Sequence, residues 1–475
     1  MGRTWGILLV AGLLLAAFAG PRAAAQEPLP EVDLVAGQDG PALAPFLRYS
    51  RDIGETGPGG IVRALAQPME RVEGTSIHFG PPGQRTAVAL RVRNTGPVSG
   101  SWILTTGRGT LSHFRLYEFA GSQPRLLVDG TDSRQIRENL RTYQAYSTEV
   151  VLDPGQEKTY LIDFRSDNST YMPMRIETYG SFFTDRRANI ALVSGVVLGM
   201  VVLIIVNFMF LSITGLREFG WLALAQALFA LNTVHAEGYL TIFLFPSMPL
   251  LGVVMENAIK CAFAIAMVQF GRSFLQTRER FPRRDMVLRA LIAAGFAVIV
   301  LQAGVPLYGT GVLAILNGAS WLVTVSVALF LPFIGFAAMR RLGSQLWPLF
   351  VGWGSLALFI IYAAVASAGL FAWLPINWHL AGPVGLFESI MVTLALGLNL
   401  RKIQRDKQTA DANYAASMAE RLEMSERAAR LAEEKAFALA TVNSQNALLH
   451  ASGHDSRQVI LALNSAVDVL RRNDP

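Results

Sequence analysis

Cysteine is nearly absent. The 475 residues hold one, Cys261, so no disulfide can close within the chain and no zinc site can draw two thiolates from it. Charge is scarce as well: Asp, Glu, Lys and Arg make up 16% of the sequence, where a soluble domain carries roughly 25%. Beside a hydrophobic share of 52%, that deficit is membrane-like, and collagen-like, disulfide-stapled and wholly disordered classes are excluded. The formal net charge of +6 is mild and scattered, so no nucleic-acid partner is expected. No Gly-x-x-x-x-Gly-Lys-Ser/Thr cradle for a nucleotide occurs, and no metal site is expected.

What is present falls into parts. Arg3, the apolar run Ile7 to Ala19 and the small residues Ala23-Ala24-Ala25 have the layout of a secretory signal over residues 1–25. The apolar run is short of the ~20 residues a membrane span needs. Over 26–182, short apolar runs alternate with turn residues. Val88, Leu90 and Val92 point one way and Arg91 and Arg93 the other; Tyr160, Ile162 and Phe164 oppose Leu161, Asp163 and Arg165. Such period-two alternation marks half-buried antiparallel strands. Turns are expected at Asn94-Thr95-Gly96-Pro97, Asp129-Gly130 and Asp153-Pro154-Gly155. Seven or eight strands of this kind predict an exported antiparallel β-sandwich. It reads as a binder, with no Ser/His/Asp set or paired carboxylates. Trp102, His113 and Tyr117 are candidate ligand contacts, although aromatics in strands more often fill the core.

Seven apolar segments follow within 189–400, at about 189–211, 219–240, 250–275, 287–305, 310–338, 345–372 and 380–400, each near the ~20 residues of a transmembrane helix. The connection after the third carries Arg272, Arg278, Arg280, Arg283 and Arg284, and that after the fifth carries Arg340 and Arg341. The seventh leaves through Arg401, Lys402, Arg405 and Lys407, whereas 241–249, 306–309 and 373–379 hold no Lys or Arg. The positive-inside rule then puts the β domain outside and the C-terminus in the cytoplasm. Ionisable residues within the spans are costly: His235, Glu237, Glu256, Lys260 and Glu388 all fall in the outer half, Glu388 ~12 Å into its span at 1.5 Å per residue. They are read either as a polar cluster that senses or relays the state of the β domain, or as interhelical bridges and snorkelling side chains. An ion or proton transporter is a third reading, but paired Gly- and Pro-broken spans are not evident.

From 401 to 450 the chain has good helix composition and is expected to form a cytoplasmic coiled-coil linker. A seam at Leu439, Val442, Asn446, Leu449, Gly453, Ser456, Ile460, Leu463, Val467 and Leu470 steps by three and four without a break, after a frame slip near Lys435. His454 sits one residue past the seam, hence facing solvent, with Asp455 beside it. An exposed imidazole with an adjacent carboxylate suits phosphoryl acceptance, one ring nitrogen attacking while the acid takes or orients the other proton. Taken alone, a helical His-Asp pair is more often solvated surface.

Two resemblances sharpen this. Ser452-Gly453-His454-Asp455-Ser456-Arg457-Gln458 resembles the phosphoacceptor box of sensor histidine kinases, usually His-Asp/Glu-apolar-Arg-Gln/Asn/Thr-Pro, with Ser456 replacing the apolar residue and Val459 the proline. The order of parts resembles the bacterial seven-transmembrane receptors with diverse intracellular signalling modules. Phe114-Arg115-Leu116-Tyr117-Glu118, Lys158-Thr159-Tyr160-Leu161 and Tyr171-Met172-Pro173-Met174-Arg175 are similar to their exported domain. Gly195-Val196-Val197-Leu198-Gly199-Met200 with Asn207 is similar to their first span. The resemblance implies an inner-membrane receptor that senses a small periplasmic ligand, such as a carbohydrate. It would form a homodimer through its cytoplasmic helix, with 451–475 as the start of a kinase dimerisation and phosphoacceptor helix. His454 would be the phosphoacceptor and Asp455 its acid/base or orienting partner. Only 21 residues follow His454. The kinase domain with its ATP is therefore expected downstream or in trans, with a response regulator as the onward partner. A non-enzymatic receptor or scaffold, docking a partner through the tail, is the alternative.

Overall fold

A computed structural model describes residues 29–471 apart from 52, 54–64, 66–68, 75–76, 78–84, 108–110, 112, 121–122, 131, 144, 166–171, 245–247, 309 and 368–377. The export segment lies outside the described residues, as do Tyr171 and much of the connection before the seventh span.

Ten strands are described in the β domain: β1 (Glu31–Leu34), β2 (Arg48–Arg51), β3 (Glu70–Arg71), β4 (Thr86–Asn94), β5 (Gly100–Thr105), β6 (His113–Ala120), β7 (Gln123–Asp129), β8 (Ser147–Leu152), β9 (Glu157–Arg165) and β10 (Arg175–Glu177). The larger sheet runs β3-β2-β4-β9-β6-β7, and β10-β5-β8 form a second sheet. All pairings are antiparallel except one: β1 lies parallel to the end of β4, pairing Glu31 with Arg91 and Leu34 with Asn94. Period-two alternation sends Val88, Leu90, Phe114, Leu116, Ile162 and Phe164 of the larger sheet into one core with Trp102, Leu104, Val150, Leu152 and Ile176 of the smaller. This is the expected sandwich. Buried Asn94 links the sheets where β4 turns toward β5: Nδ2 donates to the Val98 and Leu152 carbonyls at 2.8 and 3.0 Å, and Oδ1 accepts from Gly96 N at 2.9 Å. Gly155 sits at φ +73° in the β8–β9 turn, a conformation that favours glycine. The sequence reading is corrected in two respects. Strands exceed the seven or eight expected, and a helix, Ser133–Tyr143, stands between β7 and β8.

Among the described residues, seven helices are long and apolar enough to cross a membrane. Their helical bounds are Tyr179–Thr214, Arg217–Ala236, Pro249–Phe274, Pro282–Ala303, Leu313–Leu342, Trp347–Ser367 and Ala381–Arg471. The first begins ten residues before the apolar run, because Thr178 caps it by accepting from Ser181 N at 3.4 Å and the polar turn of Asp185 to Arg187 is still helical. It ends at Gly215, whose φ of +67° closes the last turn. Close approach of the seventh span to the first and second depends on glycine. A Cβ on Gly385 would stand 2.0 Å from the Phe229 ring, and one on Gly199 3.0 Å from Leu386.

The tail, from Asn399, is a unit of its own. It is helical to Arg471, and its side chains from Arg401 to Asp468 are exposed. The frame slip near Lys435 does not interrupt the helix.

Candidate functional site

In the β domain, the three aromatic candidates separate. Trp102 is fully buried between the sheets, and its indole N–H donates to the Gln38 carbonyl at 2.8 Å. His113 and Tyr117 lie on β6 facing the opposite side of the larger sheet, where Tyr117 is buried with Ala87, Ala89 and Leu161. No common platform forms, since Trp102 and Tyr117 point to different cores. What stands on the outer face is a charged set that the sequence reading missed. Fully buried Asp163 accepts from Arg85 Nε at 2.7 Å, pairs its second oxygen with the same guanidinium, and meets His113 Nε2 at 3.1 Å. Burial pushes the Asp163 carboxyl up, but the His113 and Arg85 hydrogen bonds outweigh it and hold the group below the usual carboxylate range. The partly exposed edges of Arg85 and His113 offer hydrogen bonds to a polar ligand.

A second polar knot joins the β domain to the first span. Asp39, in the loop after β1, accepts from Thr178 N at 2.7 Å, Thr178 Oγ1 at 2.9 Å and Ser181 Oγ at 2.6 Å. The Ser181 hydroxyl is the main cause of its lowered pKa. The carboxylate also faces the positive end of the helix dipole. Tyr143 and Phe182 add an edge-on aromatic contact at 6.0 Å. Asp39→Ala is expected to cost this helix start about 1 kcal/mol, seen as faster amide exchange at Thr178–Ser181 with the β-sheet amides unchanged. Since the folded pKa is depressed, the effect is present near neutrality and fades as pH falls below the ordinary carboxylate range.

The five ionisable residues of the spans form three groups instead of one cluster. Glu256 and Lys260 pair one turn apart at 2.9 Å, with the ammonium 5.1 Å from the Trp321 ring centre, and buried His235 lies against Gly252 beside them. Glu237, just past the second span, accepts from Asn189 Nδ2 at 2.8 Å and meets His379 Nδ1 at 3.3 Å, tying the starts of the first and seventh spans to the end of the second. Glu388 lies apart in the core of the bundle: one oxygen is 3.4 Å from Ser389 Oγ and, among the described residues, the other has no hydrogen-bond partner. An uncharged junction also unites the first, second and seventh spans. Asn207 Nδ2 donates to Gln226 Oε1 at 2.9 Å and to Thr393 Oγ1 at 3.4 Å, and Gln226 Nε2 donates to Thr393 Oγ1 at 3.2 Å. Asn207, Gln226 and Thr393 each stand as polar residues inside an apolar run, which is the signal the sequence offers for this junction.

In the tail, His454 and Asp455 lie mid-helix and are exposed. Leu439, Val442, Leu449, Ile460, Leu463 and Val467 of the seam are exposed too, so an apolar stripe runs beside the imidazole. Among the described residues no group of three or more His, Cys, Asp or Glu is placed to hold a metal.

Comparison with family models finds two matches. Residues 190–399 match the model described as 7TM diverse intracellular signalling, and residues 62–178 match that described as 7TMR-DISM extracellular 2. No curated protein matches the chain.

Proposed function

The chain belongs to the seven-transmembrane receptors with diverse intracellular signalling modules, a multi-pass signalling protein, and on that premise we propose that it is the sensor part of a two-component histidine kinase. A secretory signal exports the β domain to the periplasm, and the bundle sits in the inner membrane. A small polar ligand, a carbohydrate by the earlier resemblance, binds the β domain, with His113 and Arg85 at the edge of the Asp163 knot as hydrogen-bonding contacts. Binding changes the load on the Asp39 joint and so on the first span. The Asn207–Gln226–Thr393 junction gives that span a direct hold on the seventh, which runs on into the tail. A switch of this kind needs a ligand affinity that differs between two packings, ~1–3 kcal/mol in typical couplings.

The output is phosphoryl transfer to His454. One imidazole nitrogen attacks the γ-phosphorus of ATP and the bond to the leaving ADP oxygen breaks; Asp455 orients the ring and takes its displaced proton. ATP is held by a kinase domain, fused downstream or supplied in trans, and the phosphoryl group passes on to a response regulator. The observation that carries this reading is an exposed His-Asp pair within His-Asp-Ser-Arg-Gln, one residue from an unpartnered apolar stripe. The test is the full chain in nanodiscs with a soluble histidine-kinase catalytic domain and labelled ATP. We expect an acid-labile label that His454→Gln reduces to background. A label that survives this substitution overturns the assignment, and an unlabelled but dimeric wild type favours a docking scaffold.

A further inference from the structure

Three buried carboxamides remain outside the function proposed above. Asn257 on the third span, Gln302 on the fourth and Asn317 on the fifth are 0%, 0% and 6% exposed. Their depth is set by the layers on either side. On the side nearer the β domain Val253, Val305, Leu313 and Leu316 pack together; farther away, about one to two turns along each helix, Cys261, Val298 and Val323 do the same. In sequence each carboxamide lies between residues of these two layers, so the three fall near one level where the third, fourth and fifth spans meet. Ser320 Oγ, reaching 3.5 Å to the Asn257 carbonyl and 3.5 Å from Cys261 Sγ, fixes the third span against the fifth at this height.

Among the described residues, five side-chain atoms here have no hydrogen-bond partner: both of Asn257, both of Gln302, and Oδ1 of Asn317. A buried amide without a partner is costly, and hydrocarbon around the bundle offers no relief. The three carboxamides carry no charge and the neighbouring Glu256 carboxylate is engaged by Lys260, which disfavours a cation. Donors and acceptors are mixed, which suits a molecule that both gives and takes hydrogen bonds. A buried water makes about three hydrogen bonds, so about two waters would satisfy five atoms.

We propose that Asn257, Gln302 and Asn317 form an internal hydration site, holding a small cluster of ordered water that bridges the third, fourth and fifth spans in the half of the bundle nearer the β domain. Water bridges can be exchanged without stripping an amide bare, so this level is a joint at which the three helices can shift, unlike the dry layers around it.

The test is X-ray radiolytic labelling of the intact receptor in nanodiscs, where hydroxyl radicals arise from bound water in place. Cys261, one turn from Asn257, and Met267, about two turns deeper, are both buried sulfurs. With each rate divided by that in denatured receptor, Cys261 is expected to label several-fold faster than Met267, and Gln302→Met is expected to remove the difference. Gln302→Met should also lower the thermal midpoint, because its bridged partners lose their hydrogen bonds; at a dry site the same change would raise it. Equal labelling of the two sulfurs in the wild type, or a raised midpoint in the variant, overturns the proposal. The wild-type comparison stands even if the variant fails to assemble.

Discussion

Asp163→Ala is expected to destabilise the β domain by about 3–5 kcal/mol, the usual cost of breaking a buried ion pair by removing one partner. The carboxylate is fully buried, while Arg85 and His113 retain 14% and 18% of their side-chain exposure, so neither can recover full hydration once their acceptor is gone. β9 is a central strand, paired with β4 on one side and β6 on the other, so the defect reaches three strands at once. Asp163→Asn should cost less, keeping volume and one acceptor but not the charge. The double change Arg85→Leu with Asp163→Leu should recover much of the loss, because an apolar pair leaves no charge stranded. Thermal unfolding of the full receptor gives the ordering. The pH dependence follows from the sign of the shift. A carboxyl held below its ordinary value of about 3.9 contributes stability above that pH and loses it as pH falls through the lowered folded value. Wild type and Asp163→Ala should therefore converge in acid and differ fully at neutrality; a gap that persists in acid would mean a packing defect in place of the lost charge.

The same region shows where a single sequence runs out. The inward set Val88, Leu90, Val92 and the outward Arg91 and Arg93 were legible because alternation is a property of one strand. The Arg85–Asp163–His113 knot joins residues 78 and 50 positions apart, and which charged residues meet depends on strand order and register, which alternation does not encode. Trp102, His113 and Tyr117 were grouped by chemical type; whether two strands turn their side chains to one face is again a matter of sheet topology. The helix Ser133–Tyr143 was missed among strand signals, although fully buried Leu140 shows that it too has a core-facing side.

In the bundle, existence and number of the spans were readable because twenty apolar residues carry their own signal. Partners were not. Charge drew attention to His235, Glu237, Glu256, Lys260 and Glu388, yet the junction spanning the first, second and seventh helices is made of Asn207, Gln226 and Thr393, and Asn257, Gln302 and Asn317 are uncharged side chains as well. An amide costs less than a charge inside a membrane, so it stands out less in sequence, but it still demands a partner.

In the tail, Leu463→Glu with Val467→Glu is expected to abolish self-association of the receptor. The seam runs in heptads with Leu439, Asn446, Gly453, Ile460 and Val467 at one core position and Val442, Leu449, Ser456, Leu463 and Leu470 at the other. Branched Ile460 and Val467 at the first, with Leu463 and Leu470 at the second, is the arrangement that favours two parallel strands. Exposed apolar side chains of this size gain roughly 1.5–3 kcal/mol each when buried; replacing two per chain removes four such gains in a dimer and sets four unpaired like charges into the seam, whose burial is what opposes pairing. Asn446, a polar residue at a core position, fixes register at a cost in stability. Asn446→Leu should therefore tighten association while loosening the choice of register or strand number. Sedimentation or mass photometry of the nanodisc-free receptor in detergent distinguishes these outcomes: dimer for the wild type, monomer for the double glutamate variant, and larger or mixed species for Asn446→Leu. The consequence reaches His454. It follows Gly453 and precedes Ser456, the two smallest residues of the seam, so the paired helices would be thinnest where the imidazole is presented, leaving room for a catalytic domain to approach. If the double glutamate variant remained dimeric, the contact would lie in the bundle or β domain, and the tail would meet its kinase as a single helix.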